Sequence, residues 1–148
     1  MWPRFLLGET MKIERGAFRT RKERGEWAEL YFMARAAAHG LRVSRPFGDS
    51  SSYDVGVECG DRILRVQVKS TMHRRRDTGY FNINLHGCTQ KQYAAGSVDF
   101  FAAYLIPIDT WYIIPFEKTG KSLYLSFATE GRREKHWEYR EAWDLLKG

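Results

Sequence analysis

Asp54, Gln67 and Lys69 are polar residues at positions where a buried strand would ordinarily carry apolar side chains. They lie in the segment YDVGVECGDRILRVQVKS, residues 53–70, which otherwise alternates in the way that two β-strands do. A carboxylate and an amide supply oxygen atoms, which are the ligands that hard divalent cations prefer. An ammonium group beside them could orient water or offset the negative charge of a bound anion. The three side chains are therefore candidates for a shared polar site on a hairpin.

The turn of this hairpin determines which residues face each other. Gly60-Asp61 suits a two-residue turn of type II′, and so short a turn fixes the register of the two strands. Asp54 is then predicted to lie opposite Gln67, with Lys69 two residues farther along the same face. The other face is predicted to be apolar and consists of Val55, Val57, Leu64, Val66 and Val68. The alternative is a solvated polar face on which Asp54 and Lys69 form a weak salt bridge.

A helix before the hairpin offers carboxylates from another direction. Apolar residues recur at helical spacing over residues 24–39, and Gly40 follows as a stop. Glu26 and Glu29 share one face of this helix, so either could reach towards Asp54. The alternative is a solvated acidic face, which the helix dipole favours near an N-terminus.

The remaining pattern predicts an α/β fold with a mixed central sheet flanked by helices. Further strands are predicted at residues 41–47, 80–86, 98–106, 110–115 and 122–127, the last of them at an edge. A short helix is predicted at 89–96 and an amphipathic helix at 134–147. Because no linker divides the sequence, we interpret it as a basic N-terminal tail, residues 1–21, followed by a single domain, residues 22–148.

The charge of the chain narrows the class of partner. Lys and Arg exceed Asp and Glu by six over the 148 residues, which fits a polyanion such as nucleic acid or an anionic membrane surface. No stretch approaches the length of a membrane span, and the first residues lack the apolar run of a signal peptide. Two cysteines, Cys59 and Cys88, are too few for a disulfide scaffold. We therefore expect a cytoplasmic protein that does not enter a membrane.

Taken together, the segments KERGEWAEL, YDVGVECG and RVQVKS resemble the PD-(D/E)XK nuclease superfamily. In that family a helix contributes a Glu, a hairpin strand an Asp, and the next strand an acidic residue, one spacer and a Lys. Gly25, followed four residues later by Glu29, resembles the opening helix of the family, so Glu29 is a better match than Glu26. Asp54 matches the Asp of the first motif, although Tyr53 stands where many members have Pro.

The second motif of the family corresponds to Gln67-Val68-Lys69, with Gln in place of the acidic residue. The same replacement occurs in the branch related to group I intron homing endonucleases. The sequences of RVQVKS and of the later segment VDFFAAYLIPIDTWYIIP also resemble that branch. The resemblance spans about residues 22 to 116 and implies a restriction-endonuclease-like core.

The resemblance also implies an activity, that of a divalent-metal-dependent DNA endonuclease. Glu29, Asp54, Gln67 and Lys69 would be its catalytic residues. Mg²⁺ or Mn²⁺ would be held by Asp54, Glu29, the amide of Gln67 and the main-chain carbonyl of Val68. Lys69 would position or deprotonate the attacking water. Because Gln67 lends an oxygen but no charge, metal affinity is expected to be weakened.

Basic residues elsewhere are candidates for contacts with DNA phosphates, and the alternative is a solvated surface. They are Arg65 on the hairpin, Arg74, Arg75 and Arg76 in the following loop, and Arg19, Arg21, Lys22 and Arg24 near the first helix. A chain of this size is expected to act as a homodimer or higher homo-oligomer in order to cut both strands. Two other functions fit the same residues: a nuclease-like module that has lost catalysis and binds nucleic acid or assembles complexes, and an RNA-processing enzyme.

Overall fold

One α-helix and seven strands make up the regular structure of the described part of the chain. The computed structural model describes residues 12–85, 93–119, 124–128 and 135–148. Its elements are α1 (Arg21–Ala38), β1 (Val43–Ser44), β2 (Val55–Cys59), β3 (Arg62–Thr71), β4 (Phe81–Asn84), β5 (Phe100–Leu105), β6 (Thr110–Pro115) and β7 (Tyr124–Phe127), with short 3₁₀ turns at Ile106–Ile108, Phe116–Lys118, Trp137–Tyr139 and Trp143–Leu146. Over these residues, no helix has both the length and the apolar character that a membrane span requires.

Helix α1 begins three residues earlier than the sequence pattern predicts, because its N-terminus is capped from both sides. The Thr20 side chain accepts a hydrogen bond from Glu23 N at 3.1 Å, and the Glu23 carboxylate accepts one from Arg19 N at 2.7 Å. The first bond satisfies a main-chain donor that the first turn leaves unpaired, and the second ties the residue before the cap to the helix. At the other end Gly40 takes φ +79°, as the predicted stop requires. Phe18, just before the cap, lies 5.2 Å from the Trp27 ring, so this part of the predicted tail packs on the helix.

The central sheet has the strand order β1-β2-β3-β5-β6 and is mixed, which confirms the predicted fold class. Strands β3 and β5 are parallel, and the other neighbouring pairs are antiparallel. The predicted hairpin register is confirmed, since Val55 pairs with Val66 and Val57 with Leu64. Gly60 has φ +62°, whereas Asp61 is not among the residues of positive φ, as a type II′ turn requires.

The two faces of the sheet are covered by different elements. Helix α1 covers the valine face of the hairpin and buries Ala28, Phe32 and Ala36 there. Full burial of a ring such as that of Phe32 contributes about 1.5–3 kcal/mol. Strands β4 and β7 pair with each other in a separate two-stranded sheet on the opposite face. The predicted edge strand at 122–127 therefore belongs to this second sheet, beginning in the described residues at Tyr124.

The predicted amphipathic helix at 134–147 is wrong for the described residues 135–148, which form two 3₁₀ turns instead. The chain breaks at Glu141, whose φ of +49° is incompatible with an α-helix. Its carboxylate accepts hydrogen bonds from Trp111 N at 2.9 Å and from Trp143 Nε1 at 2.6 Å, and it pairs with Arg35 at 3.3 Å. These contacts with β6 and α1 stabilise a bent chain over the helix that the periodicity favours. Half of the predicted short helix at 89–96, residues 89–92, lies outside the described residues, and residues 93–96 are not helical.

Asp109 links α1 to the end of the sheet through two tyrosine hydroxyls. Its Oδ1 accepts hydrogen bonds from the hydroxyls of Tyr31 at 2.9 Å and Tyr104 at 2.7 Å, at a left-handed φ of +45°. Burial and the bond to Asp109 raise the pKa of Tyr31 to about 12. Asp109→Ala is expected to lower the free energy of unfolding by about 2–4 kcal/mol, because two shielded hydroxyls lose their acceptor and alanine is strained at this φ.

Urea unfolding of the Ala and Asn variants measures this effect. Asp109→Asn is the matched control, since an amide oxygen still accepts both hydroxyls and asparagine tolerates the left-handed conformation. It is expected to lose less than about half as much stability as the Ala variant. Equal losses would mean that the acceptor contributes nothing.

Candidate active site

The carboxylate of the hairpin, Asp54, lies where β3 continues past the beginning of β2. Asp54 lies immediately before β2, and its main-chain N–H donates to Val66 O at 3.0 Å. Its side-chain Oδ2 accepts from Val68 N at 2.9 Å, so the carboxylate replaces the strand partner that Val68 would otherwise have. The N–H and C=O of one strand residue point to the same side, so the Val68 carbonyl also faces this gap.

Glu29 approaches the same place from helix α1. Its side chain is 18% exposed, and its Oε2 accepts a hydrogen bond from Arg45 Nη2 at 2.8 Å. Burial and the nearby charge of Asp54 raise the pKa of Glu29 to about 7, although Arg45 opposes the rise. Glu26 turns away and pairs with Lys22 at 4.0 Å on the solvent side. Of the two helix carboxylates, Glu29 is therefore the one whose pKa the charge of Asp54 raises.

The Asp54 carboxyl is also in an environment that disfavours its negative charge. Burial raises its pKa, and the hydrogen bond from Val68 N and the charges of Lys69 and Arg45 lower it by less. Two carboxyls that are both hard to ionise are a common feature of sites that bind a cation, because the cation replaces the lost water. The local electrostatics thus favour a positive ligand between Asp54 and Glu29.

Lys69 lies on β3 and extends to the face opposite α1. Its Nζ is 5.4 Å from the centre of the Tyr93 ring, a cation–π distance, and Tyr93 in turn packs against Phe101 at 5.6 Å. Gln67 is half-buried two residues earlier on the same strand and face. Asp54 is thus coupled electrostatically to Glu29 from α1 and to Lys69 from β3.

The donor atoms suit magnesium or manganese. Asp54 and Glu29 offer carboxylate oxygens, and Gln67 and the Val68 carbonyl offer neutral oxygens, all of the hard type that these ions prefer. Among the residues with a described structure, no three His, Cys, Asp or Glu side chains gather as a metal cluster.

The basic candidates differ in how much of their charge is available. Arg65 is held by Asp99, through Nε at 3.1 Å and Nη2 at 3.3 Å. Arg75 is paired with Asp77 at 2.9 Å, and Arg74 Nε donates to the Gly79 carbonyl at 2.6 Å within the same loop. These contacts leave Arg65 and Arg75 with a carboxylate already beside them. Arg76 is exposed.

Arg24 is the best suited of the basic residues to meet a phosphate. It lies one turn before Ala28 on α1 and is half-buried. Its Nε is shielded from solvent and makes no hydrogen bond within the described residues. Burial and the neighbouring Arg21 lower the pKa of its guanidinium. A shielded cation that has no ion pair within the described residues would be stabilised by an incoming anion.

Sequence reasoning missed three residues of this region: Arg45, Tyr93 and Asp99. Each is fixed by a contact across the fold, to Glu29, Lys69 and Arg65 respectively. No local pattern marks them, because Arg45 lies at the end of a predicted strand and Tyr93 within a predicted helix. Only the packing of separate segments brings these pairs together.

Comparisons with known proteins agree with this geometry. A protein-family profile described as "PD-(D/E)XK endonuclease" matches residues 19–146. Among 17 matching chains of solved structures is one titled "The structure of a bacterial homing endonuclease: I-Ssp6803I". It is 26% identical in sequence with a TM-score of 0.71, and the alignment covers 86% of this chain and 92% of that chain. A search of curated proteins gave no match.

Proposed function

The chain belongs to the PD-(D/E)XK endonuclease family, and we propose that it is a divalent-metal-dependent DNA endonuclease with Glu29, Asp54, Gln67 and Lys69 as its active site. The observation that carries the proposal is the electrostatic coupling of Glu29 and Asp54, two carboxyls that are both partly shielded from water. They come from a helix and a hairpin, yet the charge of Asp54 contributes to the raised pKa of Glu29. Lys69 is close enough to Asp54 to oppose the rise in the pKa of that carboxyl.

In this proposal Mg²⁺ or Mn²⁺ is held by the carboxylates of Asp54 and Glu29, the amide oxygen of Gln67 and the Val68 carbonyl. A divalent cation supplies charge neutralisation at the phosphate and a more acidic water. The chain supplies the fixed directions of the ligands. Asp54 is held by the Val68 N–H, and Glu29 is held by Arg45 across 2.8 Å. Both anchors keep a carboxylate oriented before any ligand arrives.

Lys69 has a different task in the proposal. Its ammonium lies near the negative Asp54 and over the face of Tyr93, which attracts the cation without neutralising it. From there it orients the attacking water and offsets charge on the phosphate. Phosphates of the DNA backbone would be contacted, independently of base sequence, by the basic residues Arg24, Lys22, Arg74, Arg75, Arg76 and Arg65.

The glutamine of the second motif leads to a prediction about metal affinity. Gln67→Glu adds a third carboxylate and is expected to lower the Mg²⁺ concentration for half-maximal nicking about tenfold, since one further charge–charge contact is gained. Titration of Mg²⁺ in a plasmid-nicking assay measures it. The Gln67→Asn variant is the control, because its amide is neutral and should bring no tightening. An unchanged half-saturating concentration for the Glu variant would place Gln67 outside the metal shell.

A second candidate function is a catalytically inactive nuclease-fold module that binds nucleic acid or assembles complexes. The neutral Gln67 favours it, since only two carboxylates meet at the site. It predicts DNA binding without nicking. If the chain is an endonuclease, it would cut both strands with one such site only as a homodimer or higher homo-oligomer, which sedimentation of the protein with and without duplex tests.

Nicking of supercoiled plasmid in Mg²⁺ or Mn²⁺ separates the two functions. The wild type is compared with Asp54→Asn and Lys69→Met, purified in the same way. Nicking by the wild type alone supports the endonuclease. Equal nicking by all three proteins would reveal a contaminant, and binding of DNA with no nicking by any of them would support the inactive module.

A further inference from the structure

The loop that joins β1 to β2, residues 45–54, carries a phenylalanine that faces solvent entirely. Relative to a reference residue, Phe47 is 105% exposed. The other exposed large apolar side chains of the described residues range from 37% to 67%. Phe47 therefore contributes no buried surface to the core, and its ring is available to a ligand.

Both ends of this loop are fixed at the proposed active site. At its beginning Arg45 contacts Glu29 at 2.8 Å, and at its end Asp54 contacts Val68 N at 2.9 Å. Between them Ser52 Oγ donates to the Ser97 carbonyl at 3.2 Å. A ligand that reaches Asp54 must therefore pass close to this loop.

The residues beside Phe47 shape how the ring is presented. Pro46 restricts φ on one side, and Gly48 takes φ +79° on the other, a turn that an L-residue rarely adopts. The chain thus turns directly after the ring. The rest of the tip, Asp49 and the serines at 50–52, is polar and exposed.

The setting of the ring favours a nucleic-acid base over a protein surface. A stable protein interface buries about 800 Å² on each partner, with an apolar centre. Phe47 is a single ring among polar residues and cannot supply that centre. A ring needs no patch around it in order to stack on a base, and phenylalanine is among the side chains that proteins insert between base steps.

We propose that Phe47 is a wedge that stacks against a base step of the bound duplex beside the cleavage site. The proposal rests on the proposed function, because it takes DNA as the ligand of Asp54 and Lys69. Such a contact gains affinity from stacking and contributes no charge. It should therefore be insensitive to salt, unlike every phosphate contact.

Fluorescence anisotropy measures binding of the protein to a labelled duplex of about 30 base pairs. Titrations in EDTA at salt concentrations from about 50 to 200 mM test the wedge. Phe47→Ala is expected to weaken binding about tenfold at each salt concentration with an unchanged salt slope, and Phe47→Trp to stay close to the wild type. Arg24→Ala is the charge control, and its slope should be shallower by about one. Because Phe47 is wholly exposed, the melting temperature of its variants should not change.

Each contrary outcome identifies what fails. Equal affinity of the wild type and Phe47→Ala would overturn the wedge and leave the nuclease proposal intact. A shallower salt slope for Phe47→Ala would mean that the loop acts through phosphates. A difference in sedimentation between the wild type and Phe47→Ala would mean that the ring makes a contact between two copies of the chain. Both results overturn the wedge. Absence of duplex binding by the wild type would overturn the wedge and the proposed function together.

Discussion

Replacing Asp54 with asparagine is expected to reduce plasmid nicking by about a thousandfold or more and to raise the melting temperature of the metal-free protein. The loss follows because an amide withdraws the anionic oxygen on which cation binding depends, and a bound metal contributes several kcal/mol to catalysis. The melting temperature rises because burial raises the pKa of Asp54, which means that folding destabilises its ionised form. Asparagine keeps an oxygen that can accept the bond from Val68 N.

Thermal unfolding with and without Mg²⁺ measures the second half of this prediction. The metal should stabilise the wild type, as any ligand of the folded state does, and should not stabilise Asp54→Asn. Without metal the variant is expected to melt a few degrees higher, which corresponds to about 1 kcal/mol in a chain of this size. Asp49→Asn is a matched control, because Asp49 is an exposed aspartate of the same loop. Wild-type nicking by the Asp54 variant would remove this residue from the site.

The opposed changes in stability and activity have one physical origin. Glu29 and Asp54 both lie where burial disfavours a negative charge, and Asp54 adds to the cost of ionising Glu29. A protein selected for stability alone would fill these positions with neutral residues. The cost is offset when a cation binds, so the instability of the metal-free site and its proposed affinity for metal are the same property.

The hairpin half of the site was predictable because its geometry is local. Two residues at the turn fix the register of the hairpin, and the pairs from Val55–Val66 to Cys59–Arg62 follow it as predicted. Asp54 lies just before β2, where its main-chain N–H donates to Val66 O, so its position opposite Gln67 stays a prediction. The predicted face of valines is confirmed for the same reason, since a strand alternates with a period that no distant contact can change. The sequence pattern narrowed the helix carboxylate to Glu26 or Glu29, and the family motif favoured Glu29.

The remaining features depend on contacts between distant segments. The C-terminal periodicity favours a helix, but Glu141 gains three partners on Trp111, Trp143 and Arg35 by leaving the helical conformation. The contact between Arg45 and Glu29 likewise requires α1 and β1 to be packed together first. Local propensity carries no information about such pairs, so a sequence pattern predicts the elements better than it predicts their polar partners.

Lys69→Met is expected to lower nicking by about 10²–10⁴-fold while leaving stabilisation by Mg²⁺ in place. The ammonium is not among the proposed metal ligands, so the metal should still bind to Asp54 and Glu29. What is lost is the group that orients water and offsets phosphate charge beside Asp54. Methionine keeps an unbranched apolar side chain that can still lie against the Tyr93 ring. The two variants thus separate metal binding from the proton transfer and charge compensation that Lys69 is proposed to supply.

The measurements are nicking rates at saturating plasmid and the rise in melting temperature on adding Mg²⁺. Lys147→Met removes a lysine that pairs with Asp144 at 3.0 Å near the C-terminus and should change neither quantity. If Lys69→Met abolished stabilisation by Mg²⁺, the lysine would be needed to form the metal site, and its assignment to the water would be wrong. If nicking persisted at the wild-type rate, the water would have to be activated by a group other than Lys69.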